Sequence, residues 1–247
     1  MSTRDAMKQS RREFLQRAGA LGALVAFGAI PFTAGAAAAP KMKIGVIGSG
    51  RVGGTIGSVW AKAGHEVMFS SLNLEQDKAL AASVGPNAKA GTTREAAAFG
   101  TVLLVSVPYA AVPQLGKDLG DLIKGKVIID TSNPIPGRDG DMAVAAREKG
   151  AGQASAEFLP GARIVRAFNA IGYARMGEAF KTPGTYGMPI AGDDRQAIEI
   201  ASGLIREVGY EPVLIGGTGM GRHLIPGGPL SGERSPDEVR KIVATLK

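Results

Sequence analysis

The residues with the clearest chemical potential are three glycines. Gly48, Gly50 and Gly53 stand in the run Gly48-Ser49-Gly50-Arg51-Val52-Gly53, directly after the apolar segment Lys43-Ile44-Gly45-Val46-Ile47 and before a helical stretch over about residues 52–63. Strand, Gly-x-Gly-x-x-Gly turn and helix in that order make a phosphate cradle. Gly48 permits the tight turn, Gly50 lets a pyrophosphate approach the backbone, and Gly53 lets the helix pack closely. Ser49, Arg51 and Val52 share the turn, where the helix start offers free N–H groups and the positive end of its dipole. The chemistry implied is dinucleotide binding; the bland reading is a tight turn without a ligand.

Such a turn needs a sheet to hold it, and the chain supplies one. Glu66-Val67-Met68-Phe69-Ser70, Thr101-Val102-Leu103-Leu104-Val105 and Lys126-Val127-Ile128-Ile129-Asp130 are apolar runs of buried-strand length. Helical segments near 74–84, 92–98 and 109–122 lie between them, and a helix near 142–157 leads to a strand at 163–168. The tail reads as strand (186–191), helix (193–207), strand (211–215), Gly-rich loop and a short helix from Pro236. Strands separated by helices predict a doubly wound, mostly parallel Rossmann sheet with helices on both faces and a small C-terminal extension. The domain reading is 1–39 signal peptide, 40–170 dinucleotide-binding domain, and 171–247 extension bordering the acceptor site.

Ligands in such sheets bind outside the carboxyl ends of the strands. The loops expected there are Ser106-Val107-Pro108, the Asn133-Pro134 segment and Asn169-Ala170. The end of the second strand should choose between NAD and NADP, because an acid there binds the ribose 2′-hydroxyl and a base accommodates a 2′-phosphate. Phe69-Ser70-Ser71-Leu72-Asn73 contains no acid, which favours NADP with NAD still admitted. Ser70 and Ser71 could equally cap the helix that begins near Leu74.

Composition closes off other chemistries. No Cys means no thiolate metal site, disulfide or Cys nucleophile, and His65 and His223 are too few for a His-rich centre. His65 reads as structural, at a helix C-terminus away from the ligands; His223 reads as an exposed loop residue. Asp193 and Asp194 read as helix caps. Arg163 and Arg166 read as alternate surface positions on a strand. Beyond residue 39 the chain keeps 24 basic and 20 acidic groups, scattered, with few aromatics for stacking, so no nucleic-acid surface is expected.

Residues 42–230 resemble the NADP-dependent oxidoreductases that reduce a deazaflavin coenzyme. The resemblance lies in the ordered pieces 44–54, 105–113, 127–134, 162–172, Met188-Pro189-Ile190-Ala191-Gly192-Asp193-Asp194 and 204–213. It implies that Ser49, Gly50, Arg51 and Val52 hold the pyrophosphate and that Ser70 and Ser71 lie near the 2′-phosphate. It further implies that Pro108 and the Asn133 loop edge the cofactor and that Ala170 sits near the nicotinamide. The sequence departs where the family has basic residues, at Leu72 and Gln76, and in the Gly-rich segment 216–229 beside the acceptor. The resemblance thus implies an NAD(P)-dependent oxidoreductase with a small-molecule acceptor, and it admits a homodimer; the alternative is an exported dinucleotide-binding or sensor protein without turnover.

The first forty residues read as an address. Ser10-Arg11-Arg12-Glu13-Phe14-Leu15 resembles a twin-arginine export signal, followed by an uncharged stretch over 18–40 that ends in Ala36-Ala37-Ala38-Ala39-Pro40. Cleavage is expected after Ala37 or Ala38, leaving no stable membrane span and a periplasmic or otherwise exported protein. The partner implied is the twin-arginine export machinery, which moves proteins already folded. Replacing Arg11 and Arg12 together by Lys is expected to hold the precursor in the cytoplasm, as fractionation would show; unchanged export would remove this reading.

Overall fold

Apolar runs of four or five residues become the strands of one sheet. The computed structural model describes residues 41–246, so the proposed export signal lies outside the described residues. The strands are β1 (Lys43–Ile47), β2 (Glu66–Ser70), β3 (Ala88–Ala90), β4 (Val102–Val105), β5 (Val127–Asp130), β6 (Arg163–Arg166), β7 (Gly187–Gly192) and β8 (Glu211–Gly216). Their order across the sheet is β3-β2-β1-β4-β5-β6-β7-β8. Every neighbouring pair is parallel except β6 and β7, which run antiparallel. The doubly wound, mostly parallel sheet expected from the sequence is therefore present, and β7 and β8 continue it beyond residue 170.

Two apolar layers cover the sheet. Helices α1 (Arg51–Lys62) and α2 (Leu74–Val84) lie on one face, with a later helix at Arg195–Val208. There Ile56, Trp60, Leu204 and Ile205 pack on Val46, Phe69, Leu104 and Ile129. The indole Nε1 of Trp60 donates to the Leu204 carbonyl at 2.8 Å, so the bulkiest core side chain is buried with its polar atom satisfied. Helices α3 (Thr93–Phe99) and α4 (Val112–Ile123) cover the other face, burying Ala96, Ala97, Leu119 and Ile123 against Leu103, Val105 and Ile128. Burial of each large aliphatic side chain contributes roughly 1.5–3 kcal/mol.

Two local features differ from the expectation. The short β3 carries only Ala88, Lys89 and Ala90, too little apolar character to read as a strand, and it forms because it pairs with Val67–Phe69 of β2. The helix expected over 142–157 is two, Asp141–Lys149 and Ala151–Phe158, broken at Gly150 with φ 103°.

The strand carrying Arg163 and Arg166 also departs from a surface reading. A separation of three residues places these side chains on opposite faces of β6. Arg163 is partly exposed and bonds the Asp194 carboxylate, which also caps the helix at Ala197; this pairing holds Asp194 down to about 2. Arg166 is wholly buried, and its Nη1 lies 2.6 Å from Oδ2 of the equally buried Asp130, its register partner on β5. Nη2 of Arg166 donates to the carbonyls of Ser132 at 3.1 Å and Leu224 at 3.3 Å. Arg166→Met would leave the Asp130 carboxylate buried without its cation. The expected cost is about 3–5 kcal/mol by urea denaturation; a change below about 1 kcal/mol would show that the pair does not hold the sheet end.

Candidate functional site

The sheet reverses its winding between β1 and β4, and the carboxyl ends of those strands open the crevice. The Gly turn sits there, tied by the backbone N–H groups of Gly48 and Ser49, which both donate to the Ser70 carbonyl at 2.9 and 3.0 Å. Gly48 has φ 96°, and a Cβ on it would meet the Ser106 carbonyl oxygen at 2.3 Å. A Cβ on Gly53 would meet the Gly48 carbonyl oxygen at 2.1 Å. These two glycines are thus dictated by the fold. A Cβ on Gly50 would meet nothing within 4 Å, so its bareness leaves room for a ligand. Gly50 caps α1 without a side chain, and the first turn of that helix holds no acid. Unpaired N–H groups, a positive dipole end and open space fit a pyrophosphate.

Two cavities adjoin this turn, and a third lies beyond the end of β2. One of about 340 Å³ is lined by Gly50, Arg51, Val52, Ser106, Val107, Pro108 and Asn133, together with Thr131, Ser132, Ile135 and Arg138. It unites most of the loops that the sequence assigned to the cofactor. A second, of about 510 Å³, is lined by Ser49, Gly50, Arg51, Gln76 and Tyr173 among others. The Arg51 guanidinium lies over the Tyr173 ring, 5.3 Å from its centre, and closes one wall. The third, of about 630 Å³, is bordered by Ser71, Leu72, Thr92 and Arg94.

The floor of the first cavity is built from buried polar bonds. The Ser132 N–H donates to Asp130 Oδ1 at 2.9 Å, and its hydroxyl bonds the same oxygen. Asn133 Nδ2 donates to the Asn169 carbonyl at 2.8 Å, and Asn169 Nδ2 donates to the carbonyls of Asp130 and Ser132. Pro134, Asn169 and Ala170 are buried beneath the crevice and do not line the cavity; they support it. The Ala170 carbonyl accepts from the Gly232 N–H at 2.9 Å, so the C-terminal loop covers it. Phe168, at the end of β6, is a non-glycine residue at φ 64°, a strained backbone held where the chain leaves the sheet toward the site.

Asp139 clasps the neighbouring loops. Its carboxylate receives Arg138 and the N–H of Ile135 after β5, and it reaches the N–H of Ala110 after β4. The bonds from Arg138 hold the buried carboxyl below its ordinary range, so its support is complete above that range and lost as pH falls through the lowered value. Tyr109, beside it, is buried with its hydroxyl donating to the Ala151 carbonyl at 2.9 Å, and burial pushes it up to about 12. It stays neutral at physiological pH and serves packing.

The adenosine side departs from the sequence expectation. Ser70 is fully buried, and its hydroxyl donates to the Val46 carbonyl at 2.7 Å, so it braces the turn from within and faces no ligand. Neither serine is the cap of α2; Asn73 is, accepting from the Gln76 N–H. Ser71 lies at the rim with its Oγ 3.0 and 2.9 Å from the two carboxylate oxygens of Asp77, a buried residue in the first turns of α2. The Ser49 hydroxyl bonds Asp77 as well. Nothing in its local spacing marks Asp77 as part of the site, and only the fold reveals it.

Both histidines have defined places. His65 Nδ1 accepts from the Met42 N–H at 3.0 Å, so Nε2 carries its proton and donates to Glu207. That is the structural role expected of it. His223 is half-buried at the end of the turn Thr218–His223, not exposed as expected, and its Nε2 has no protein partner.

The chain is similar to known proteins in sequence and in fold. Residues 43–134 match the family model described as NADP oxidoreductase, coenzyme F420-dependent. The chain is 30% identical over 190 residues to an F420-dependent NADP reductase of Methanothermobacter thermautotrophicus, covering 71% of this chain and 82% of that one. A reductase of the same description from Methanothermobacter marburgensis is 32% identical over 180 residues, with 68% and 80% covered. Among solved structures, a hypothetical protein of Sinorhizobium meliloti superposes with a TM-score of 0.65 at 22% identity, covering 79% of this chain and 95% of that one. A putative F420-dependent NADP-reductase of an Arthrobacter species gives 0.62 at 20% identity, covering 73% and 87%. At those identities the two structures speak for the fold.

Gly50→Val is expected to leave the protein folded at a cost of about 0.5–2 kcal/mol, since its Cβ enters open space and valine is a poor helix cap. It should weaken dinucleotide binding at least about tenfold, a loss of about 1.4 kcal/mol. Calorimetric titration beside a denaturation curve measures both; unchanged affinity would detach the ligand from this turn.

Proposed function

The chain belongs to the family of coenzyme F420-dependent NADP oxidoreductases, and on that premise we propose that it exchanges hydride between NADP and a planar acceptor of the deazaflavin class. The observation that carries this reading is the open Gly50 turn at the sheet's switch point, with the ends of β1, β4 and β5 converging on one cavity. When bound, NADP supplies or receives the hydride at its nicotinamide ring. Direct transfer of that kind asks the protein for alignment and a suitable field, not for a titrating side chain.

The chain's own residues meet that demand by position. The N–H groups at the start of α1 and the Arg51 guanidinium would neutralise the pyrophosphate. Ser106, Val107 and Pro108 would form one wall beside the reacting ring, and Asn133 the other. Asn133 is fixed from two sides, through Asn169 and through Arg138 Nη2, which donates to its carbonyl at 2.8 Å. Such bracing keeps the ring's geometry without reorganisation at the moment of transfer.

The Arg11-Arg12 signal supports a further part of the proposal, that the protein works outside the cytoplasm with its dinucleotide carried out inside the fold. A tightly held cofactor recycled by paired substrates suits a compartment without a replenished pool. The test is hydride tracing with the full chain. With NADPH deuterated on the transferring face of the nicotinamide and an oxidised deazaflavin, the label should appear in the reduced deazaflavin. Binding of both molecules with no movement of label would contradict the oxidoreductase reading and favour a binding protein without turnover.

A further inference from the structure

At the end of β2 the site holds a buried carboxylate whose hydrogen-bond partners are a hydroxyl of the Gly turn and one just beyond the strand. Asp77 is 1% exposed, and the hydroxyls of Ser49, in the Gly turn, and Ser71, the first residue after β2, both reach it. In folds of this kind the end of the second strand is where the adenosine ribose is read, by an acid for a free 2′-hydroxyl or by a base for a 2′-phosphate. Here the strand end itself has no acid, but α2 carries one back to it from seven residues further along than Ser70.

The chemistry of the hydroxyl decides what such a site accepts. A serine has one proton to donate and lone pairs to accept with. With the carboxylate behind them, Ser49 and Ser71 give their protons inward; Ser71 also accepts from the Asn73 N–H at 3.1 Å, and the lone pairs left on the two oxygens are acceptors only. A ribose 2′-hydroxyl can donate to those acceptors; a 2′-phosphate, rich in acceptors, finds no proton on either serine and a negative charge behind them. The cations of the surrounding rim are exposed and make outward contacts: Lys78 pairs with Glu75 at 2.8 Å, and Arg94, which borders the same cavity as Ser71, gives one N–H to the Asp118 carbonyl at 2.9 Å. Leu72, wholly exposed at the rim, and Gln76 bring no charge.

We propose that Asp77 is a specificity-determining residue of the cofactor site, drawing the protons of Ser49 and Ser71 onto itself so that the hold on a 2′-phosphate weakens and NAD is accepted beside NADP. The proposal rests on the dinucleotide reading above. It concerns the margin between the two cofactors, and leaves the hydride chemistry as it stands.

The test is calorimetric titration of the full chain with NADP and with NAD, in the native protein and in Asp77→Asn and Asp77→Ala. Native protein should bind the two with affinities within about thirtyfold, a difference near 2 kcal/mol. Both variants should remove the charge, with Asp77→Ala freeing both serine protons and Asp77→Asn keeping a single acceptor oxygen for them; each should tighten NADP at least about tenfold, while NAD changes by less than about threefold. A structural role alone would move both nucleotides together, and parallel changes or an unchanged ratio would overturn the proposal. Should neither variant fold, the native ratio decides: a preference for NADP beyond about thirtyfold overturns it. Native protein that binds neither nucleotide would overturn the dinucleotide reading and this proposal with it, whereas a failure confined to the ratio touches only Asp77.

Discussion

Arg166 and Asp130 form an ion pair at 2.6 Å with both side chains wholly buried, and the site is arranged around it. Two charges removed from water are tolerable only when their remaining donors and acceptors are used. Asp130 uses its second oxygen on Ser132, and Arg166 uses Nη2 on the carbonyls of Ser132 and Leu224. Only Nε of Arg166 lacks a partner, and the bonds that are made fix the loop after β5 and pin the C-terminal segment to the same point. A rigid crevice floor follows from this electrostatic constraint, more than from any preference of the loop itself.

The Gly turn depends on that floor being in place. Gly48 lies so close to the Ser106 carbonyl that β1 and β4 must end in register, and β4 is held in turn by β5. Thr131 continues the link, its N–H donating to the Val105 carbonyl at 2.9 Å. The cradle for an anion and the walls of the adjoining cavity are thus one mechanical unit. Asp139 completes it by joining the loops after β4 and β5, and its clasp weakens only in acid.

Much of this was legible in the residues. Buried parallel strands are apolar throughout, so β1, β4 and β5 announce themselves, and the spacing of Gly48, Gly50 and Gly53 places the turn between a strand and a helix. What could not be read were the long-range polar pairings. Arg166 looks like a strand-surface arginine until β5 brings Asp130 against it. Ser70 looks like a ligand contact until Val46 takes its proton. Asp77 has no distinguishing feature in the sequence until the turn after β2 folds Ser71 onto it. Each depends on two segments meeting in space, and no local spacing encodes that. The three-residue β3 was invisible for a related reason, since its pairing with β2 and not its own composition makes it a strand.

The central claim is that a dinucleotide lies across the Gly turn and along the braced ends of β4 and β5. Hydrogen–deuterium exchange of the full chain, with and without NADP, tests it most directly. The account predicts added protection in peptides covering residues 48–54, 106–112 and 131–136, with the helix at Pro236–Val243 unchanged. Protection confined to other parts of the chain, with those three segments exchanging as before, would contradict it.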